Sequence, residues 1–371
     1  MSFPLSTLGV GVIGLSARGG WASIAHVPAL NALRDRFELR ALSTSSAESA
    51  RAAGERYGVP LAFGAAEELV RRPEVDLVVV SVDVAHHRDL VATALAAGKH
   101  VLSEWPLGRS LAEAEEMAAL ADRAGVRGFT GLHGRSLPAL RYLRDLVADG
   151  YVGEALSTTM IGSGIQWGAT VFPGGEPQLH PANGVTMLTS PFALTVDVLT
   201  MVLGEFTELT ATTAVRRPRV TTASGQRVPM TADDQIAVTG RLDGGAVAAV
   251  HFRGGLPRST PFHWEISGTE GDLLVTASSG QLYFPPPVIS GARLGDPGLA
   301  ELPVPAGYES GPALAAHSGG PAYAVGHAYA TLHADLTGGP RVAPDLRHGV
   351  RRHRLLDAVE RAAATGRRVL M

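Results

Sequence analysis

The chain has 371 residues, 45% of them apolar, and a formal charge of −3, which is enough for two domains with separate cores and offers nucleic acid no basic field. Cysteine is absent, which excludes disulfides and thiolate metal sites, and no apolar run reaches membrane-spanning length. The N-terminus lacks the charged-then-apolar pattern of a secretory signal, so a soluble, cytoplasmic protein with no membrane partner and no direct nucleic-acid partner is expected.

In chain order, an apolar run over residues 8–15, broken only by small glycines, reads as a buried parallel strand, and residues 21–33 read as a helix. Between them Gly11, Gly14 and the Gly19-Gly20 pair permit a tight turn that presents amides to a phosphate at the helix start, where the helix dipole favours negative charge. The spacing departs from strict G-x-G-x-x-G, so the turn alone also fits an ordinary tight connection. Strands over 37–43, 61–63, 75–82, 100–104 and 128–132 then alternate with helices over 47–57, 65–71, 87–97 and 111–124. That alternation predicts a parallel sheet covered on both faces, a Rossmann-type domain over residues 1–133, with ligands beyond the carboxyl ends of its strands.

After a linking helix over 138–150 the pattern changes to threonine- and valine-rich strands over 156–161, 207–214, 235–242, 247–252, 263–266 and 273–276. Gly244-Gly245 and the 268–271 stretch read as hairpin turns, and one long helix over 187–203 interrupts the strands. The second domain, 134–371, is therefore expected to be α+β with a large, mostly antiparallel open sheet. Residues 283–321, dense in Pro, Gly and Ser, read as a long surface excursion, and helices over 323–336 and 345–364 close the chain. An open sheet face bearing Val247, Val250 and Phe252 suggests a homodimer or higher homo-oligomer.

Several segments together resemble the Gfo/Idh/MocA family of glucose-fructose oxidoreductase and inositol dehydrogenase-like proteins. They are the glycine turn, Ala97-Gly98-Lys99-His100-Val101 leading into Glu104-Trp105-Pro106-Leu107, Gly150-Tyr151-Val152-Gly153-Glu154, and a helix carrying Asp197 and closed by Leu203-Gly204. Within the family the chain is most similar to the branch of the fungal repressor of galactose metabolism and its bacterial relatives. This rests on Gly14-Leu15-Ser16-Ala17, Gly20-Trp21-Ala22, Gly134-Arg135, Asn183-Gly184-Val185, Phe252-Arg253-Gly254-Gly255 and Gly268-Thr269-Glu270-Gly271-Asp272-Leu273.

The resemblance implies binding of NAD or NADP by Gly11, Gly14, Leu15, Ser16, Ala17, Gly20 and Trp21, with Ser43, Thr44, His87, Glu104 and Trp105 completing the cofactor site. Thr44 stands where many relatives carry an acidic residue for the ribose, which permits NADP; the hydroxyl-rich turn equally suits a helix N-cap. The family's mechanism uses a lysine in a Glu-Lys-Pro turn and a histidine one helical turn before an aspartate. Here those positions are Trp105 and Leu194, and Lys99, the only lysine in the chain, lies at the other end of its strand. The candidate catalytic residues are then Glu104, Asp197 and His180, the last a loop histidine suited to replace the base. Arg135, Gln166, Trp167 and Asn183 are candidates for the small-molecule substrate. No metal site is expected, since His251 and His263 lie apart in strand patterns. The favoured function is an NAD(P)-dependent oxidoreductase acting on a sugar, polyol or related carbonyl or hydroxyl substrate. The alternatives are a non-catalytic cofactor-binding regulator and a non-redox lyase or cyclase using the same pocket.

Overall fold

The computed structural model describes residues 7–283 and 285–371; residues 1–6, and Phe284 within the expected 283–321 excursion, lie outside the described residues. Two compact units are present, one running up to Ser136 and including Glu309–Arg351, the other Leu137–Tyr308 with Arg352–Met371. Where the sequence suggests a single cut after residue 133, the segment Glu309–Arg351 groups with the first unit.

The first unit is built on β1 (Leu8–Ile13), β2 (Phe37–Ser43), β3 (Leu61–Phe63), β4 (Leu77–Val80), β5 (His100–Ser103) and β6 (Gly128–Thr130). They pair in parallel in the order β3-β2-β1-β4-β5-β6. Helices α1 (Val27–Ala32), α2 (Ala47–Tyr57), α3 (Ala66–Val70), α4 (His87–Ala96) and α5 (Leu111–Ala124) connect them. Val10, Val12, Leu42 and Val79 pack with Ala25, Leu30 and Ala50 on one face of the sheet. Ile13, Ala41, Val78 and Val80 pack with Leu69, Val91 and Met117 on the other. Burial on both faces is why these strands read as continuous apolar runs rather than alternating ones.

One expected element differs in kind. Residues 21–33 do not form a single α-helix: Ala22–His26 is a π turn, with the Val27 N–H reaching back to the Ala22 carbonyl, and only Val27–Ala32 is α-helical. Pro28, at the start of α1, has no N–H to offer the preceding turn, which removes one i→i−4 bond just there.

The second unit contains α6 (Pro138–Ala148), β7 (Ala155–Gly164), α7 (Ala193–Leu203), β8 (Phe206–Ala214), β9 (Arg219–Thr221), β10 (Arg227–Pro229), β11 (Gln235–Leu242), β12 (Val247–Gly254), β13 (Phe262–Gly268), β14 (Gly271–Ala277), β15 (Val288–Arg293) and β16 (Ala300–Glu301). The C-terminal elements are α8 (Pro312–Ala315), α9 (Pro321–Leu336), α10 (Leu346–Thr365) and β17 (Val369–Leu370). The order β16-β15-β14-β13-β7-β12-β11-β8-β17 makes a nine-stranded sheet in which only β7 and β12 run parallel.

The expected excursion therefore contains β15 and β16, which extend the sheet from β14. Their sequence is too rich in Ser, Gly and Ala to show as strand, and the open edge of β14 recruits them. The helix expected over 187–203 likewise begins with a π turn, Leu188–Phe192, that carries Pro191. Val250 and Phe252 point inward with Met160, Trp264 and Val275, so of the three apolar residues expected on the open face only Val247 is exposed. The Trp264 indole N–H donates to the Thr158 hydroxyl at 2.8 Å, satisfying the one polar group that its burial brings inside.

Candidate active site

The glycine turn begins later than the sequence suggests. Gly11 lies within β1, where a Cβ would come 2.7 Å from a methyl of Leu69, so its role is close packing of α3 on the sheet. Gly14 ends the strand with φ +96°, and a Cβ there would stand 2.2 Å from the Ser81 carbonyl oxygen; only glycine satisfies both. Ser16 organises the turn: its hydroxyl accepts the Arg18 N–H at 3.1 Å and its carbonyl accepts the Gly19 N–H at 3.1 Å and the Tyr57 hydroxyl at 3.0 Å. Arg56, beside Tyr57 on α2, donates to the Ala17 carbonyl. Leu15 buries its side chain in the core, leaving only its backbone at the turn, while Gly20 and Trp21 are exposed.

At the end of β2, Ser43 is buried and its carbonyl accepts the Gly14 N–H at 2.9 Å. The Thr44 hydroxyl bonds the Ser46 carbonyl at 3.0 Å and the Ser49 hydroxyl, while Ser46 caps α2 by accepting the Ser49 N–H at 3.2 Å. The hydroxyl cluster therefore caps the helix and also leaves the strand end without a carboxylate.

At the carboxyl end of β5, Glu104 is the centre of a polar network whose other members come from three separate elements. Its Oε1 accepts from His26 Nε2 at 2.8 Å and from His133 Nε2 at 2.9 Å. Tyr329, on α9, lies 2.8 Å from the other nitrogen of His26. Burial and the neighbouring Glu104 charge push the Tyr329 phenol well above its ordinary value, so it stays protonated and donates to His26 Nδ1. His26 then carries its proton on Nε2 and donates it to Glu104. Burial acts to raise the Glu104 carboxyl, but the charge and hydrogen bond of His133, together with the hydrogen bond of His26, hold it well below the ordinary carboxylate range. Its side chain keeps 12% exposure, and among the described residues Oε2 takes no hydrogen bond. Oε2 lies over Gly131, where a Cβ would be 2.6 Å away.

His26 and Tyr329 are absent from the residues singled out by sequence. His26 falls on the apolar stripe Ala22, Ala25, Ala29, Leu30 of its helical segment, and a titratable residue on a buried stripe is the signal that marks it. Nothing local pairs it with Tyr329, 303 residues away in the chain.

Several expected site residues have structural duties. His87 is buried with Nδ1 3.0 Å from the Pro106 carbonyl and Nε2 3.2 Å from the Val82 carbonyl, so it ties together the loops that follow β4 and β5. Burial pushes it below its ordinary value, which favours the neutral ring, whose single N–H donates to one of these two carbonyls. Trp105 is half-buried against the apolar cluster on the α4–α5 face, and Arg135 is half-buried in the short turn His133–Ser136.

In the second unit, Asp197 is fully buried with Oδ1 3.4 Å from Arg352 Nε, an internal ion pair. Trp167 is buried too, its indole N–H donating to the Gln178 carbonyl at 3.0 Å, so its ring face is not offered to a sugar. Gln166 accepts the Phe172 N–H at 2.9 Å, and Asn183 donates to the Pro177 carbonyl at 2.7 Å; both brace the loop that holds His180. His180 itself is half-buried, with Nδ1 3.1 Å from the Thr231 hydroxyl. The Leu194 carbonyl accepts the Tyr283 hydroxyl at 3.2 Å. Among the described residues no group of three or more His, Asp or Glu is arranged to hold a metal ion, and no helix is long and apolar enough to cross a membrane.

Residues 8–132 match the oxidoreductase family with an NAD-binding Rossmann fold, Gfo/Idh/MocA, and residues 138–277 match the Gal80p C-terminal domain. The galactose/lactose metabolism regulatory protein GAL80 of Saccharomyces cerevisiae is 30% identical over 333 residues, 81% of this chain and 75% of that protein. The dehydrogenase aclE of Aspergillus oryzae is 30% identical over 291 residues, 75% of this chain and 79% of that protein. Among solved structures, levoglucosan dehydrogenase in complex with NADH and levoglucosan superimposes with a TM-score of 0.84 at 20% identity, covering 98% of this chain and 99% of that one. With an NAD-binding Rossmann domain followed by a Gal80p-type second domain, the chain belongs to the Gfo/Idh/MocA oxidoreductase family.

Proposed function

We propose that the protein is an NAD(P)-dependent oxidoreductase acting on a sugar, polyol or related carbonyl or hydroxyl substrate, with Glu104 handling the proton that the family's lysine and histidine handle elsewhere. The observation that carries this reading is the ionised Glu104 at the carboxyl end of β5, with one oxygen held by two imidazoles and the other without a protein donor among the described residues. The turn from Gly14 to Trp21 suits a dinucleotide pyrophosphate, since Gly14 lets the backbone pass close to the neighbouring strand and two further glycines follow. The hydroxyl cluster after β2 has no carboxylate to repel a 2′-phosphate, so NADP is admitted as readily as NAD. Bound NAD(P) would supply the hydride acceptor; Glu104 Oε2 would receive the hydroxyl proton, with His26 and His133 orienting the carboxylate.

The test is a turnover screen with NAD and NADP against sugars, polyols and their keto forms, followed by Glu104→Gln and His180→Ala. Glu104→Gln is expected to lower kcat by roughly 10²–10⁴-fold, with cofactor affinity little changed, and His180→Ala to leave kcat near that of the unmodified protein. A large loss in His180→Ala with Glu104→Gln still active would move the base to His180.

A second reading, a cofactor-binding regulator without turnover, is favoured by the apolar Trp105 and Leu194 and by the regulatory name of the yeast relative. Cofactor binding by calorimetry with no turnover on any substrate of the screen would select it.

A further inference from the structure

At the opposite end of the parallel sheet from Glu104, a cleft of about 240 Å³ opens between α5, the start of β6 and the segment leading into α10. Its apolar side is formed by Ala118, Ala121 and Leu346, and three arginines, Arg127, Arg341 and Arg347, line it together with Asp122 and Asp345.

Both carboxylates are already engaged. Asp122 receives the fork of Arg347, Nε to Oδ1 at 3.3 Å and Nη2 to Oδ2 at 2.5 Å. Asp345 accepts the His348 N–H at 2.7 Å in the first turn of α10, where the helix dipole offsets its charge. Arg127 lies over the Phe129 ring at 5.1 Å and reaches Asp335 only at 3.4 Å, and Asp335 already accepts the Val342 and Ala343 amides at 3.1 and 3.0 Å. Arg341 makes no ion pair or hydrogen bond with another side chain among the described residues. Arg127, Arg341 and Arg347 thus stand against Asp122, Asp345 and, behind Arg127, Asp335, and Arg341 borders the apolar wall with its guanidinium unpaired by any side chain among the described residues.

An inorganic anion would leave that wall uncovered, and a neutral apolar molecule would leave Arg341 without a partner. The volume lies below the roughly 300–1,000 Å³ of drug-sized sites, which limits the occupant to a small molecule. We propose that this cleft binds a small organic monocarboxylate, its carboxylate on Arg341 and Arg127 and its compact apolar body against Ala118, Ala121 and Leu346. The site is independent of the oxidoreductase reading, because it lies at the amino end of β6 and shares no residue with the Glu104 network.

Isothermal titration of the full chain with benzoate, benzamide and inorganic phosphate tests it. Saturable binding of benzoate at one site per chain is expected, with no heat from the isosteric but uncharged benzamide and weaker binding of phosphate. Arg341→Ala should weaken benzoate at least about tenfold, as expected for loss of a charge-assisted bond, and Arg341→Lys should fall between, keeping the charge without the fork. Because Arg341 is exposed, both variants should melt like the unmodified protein. Absence of benzoate binding at millimolar concentration, equal affinity in Arg341→Ala, or phosphate binding as tightly as benzoate would each overturn the assignment.

Discussion

Glu104 shows how one side chain acquires its character from groups distant in sequence. A carboxylate with little solvent contact would ordinarily take up a proton; two imidazole donors on the same oxygen reverse that preference. The direction of the shift sets the direction of the pH effect. Because the folded value lies below the unfolded one, the stabilisation is complete above the unfolded carboxylate value, near ~4.3, and is lost as the pH falls through the folded value. Glu104→Gln removes the charge without changing the shape and should cost about 1.5–3 kcal/mol at neutral pH, the range for hydrogen bonds to charged groups. The gap between variant and unmodified protein should narrow in acid. Urea denaturation at neutral and acidic pH measures both, and a gap that stays constant across that range would mean that Glu104 is not ionised in the folded protein.

At the scale of elements, the parallel sheet was legible because double-sided burial writes each strand as an uninterrupted apolar run, as in 77–80. The short β9 and β10 and the β15–β16 edge were not, since their composition is polar or small and their pairing is decided by neighbours. The π turns were hidden for a related reason: apolar periodicity reports which face is buried but not a single extra residue in a turn. The site was legible in part. Glu104 stood out by motif, whereas His26 and Tyr329 needed the fold to bring them together.

Asp197, which motif comparison makes a candidate catalytic carboxylate, is buried on α7 facing Arg352 of α10, which also pairs with Glu205. Arg217 is held in the same way, reaching the buried Asp234 at 3.0 Å. Removing one partner of a buried pair leaves an uncompensated charge, so Asp197→Asn should lose roughly 3–5 kcal/mol. The double replacement Asp197→Leu with Arg352→Met, which removes both charges, should recover most of it. Denaturant midpoints decide the matter; an Asp197→Asn protein as stable as the parent but without turnover would restore the catalytic role.

For the whole molecule, the exposed face of the nine-stranded sheet carries the consequence. Across its middle, register aligns Thr210, Thr239, Ala249, Thr159 and Glu265, and the next row aligns Thr212, Ala237, His251, Ile161 and His263. On β8, β11, β12 and β7 the side chains of these rows carry no carboxylate, lysine or arginine, while Glu265 on β13 and Glu208, Arg241 and Asp272 further along the strands bring charge to the face. A face whose rows are built largely of Ala, Thr and Ile lets a second sheet pack against it at ~10 Å. A homodimer formed through this face is the expected state. A charge buried at its centre without a partner would oppose association, so Ala249→Glu should turn a dimer into a folded monomer in sedimentation velocity at micromolar concentration, with thermal unfolding of the monomer still cooperative. A unit-sized monomer for the unmodified chain under the same conditions would rule out this face as a self-association surface, and a dimer that survives Ala249→Glu would place the contact elsewhere.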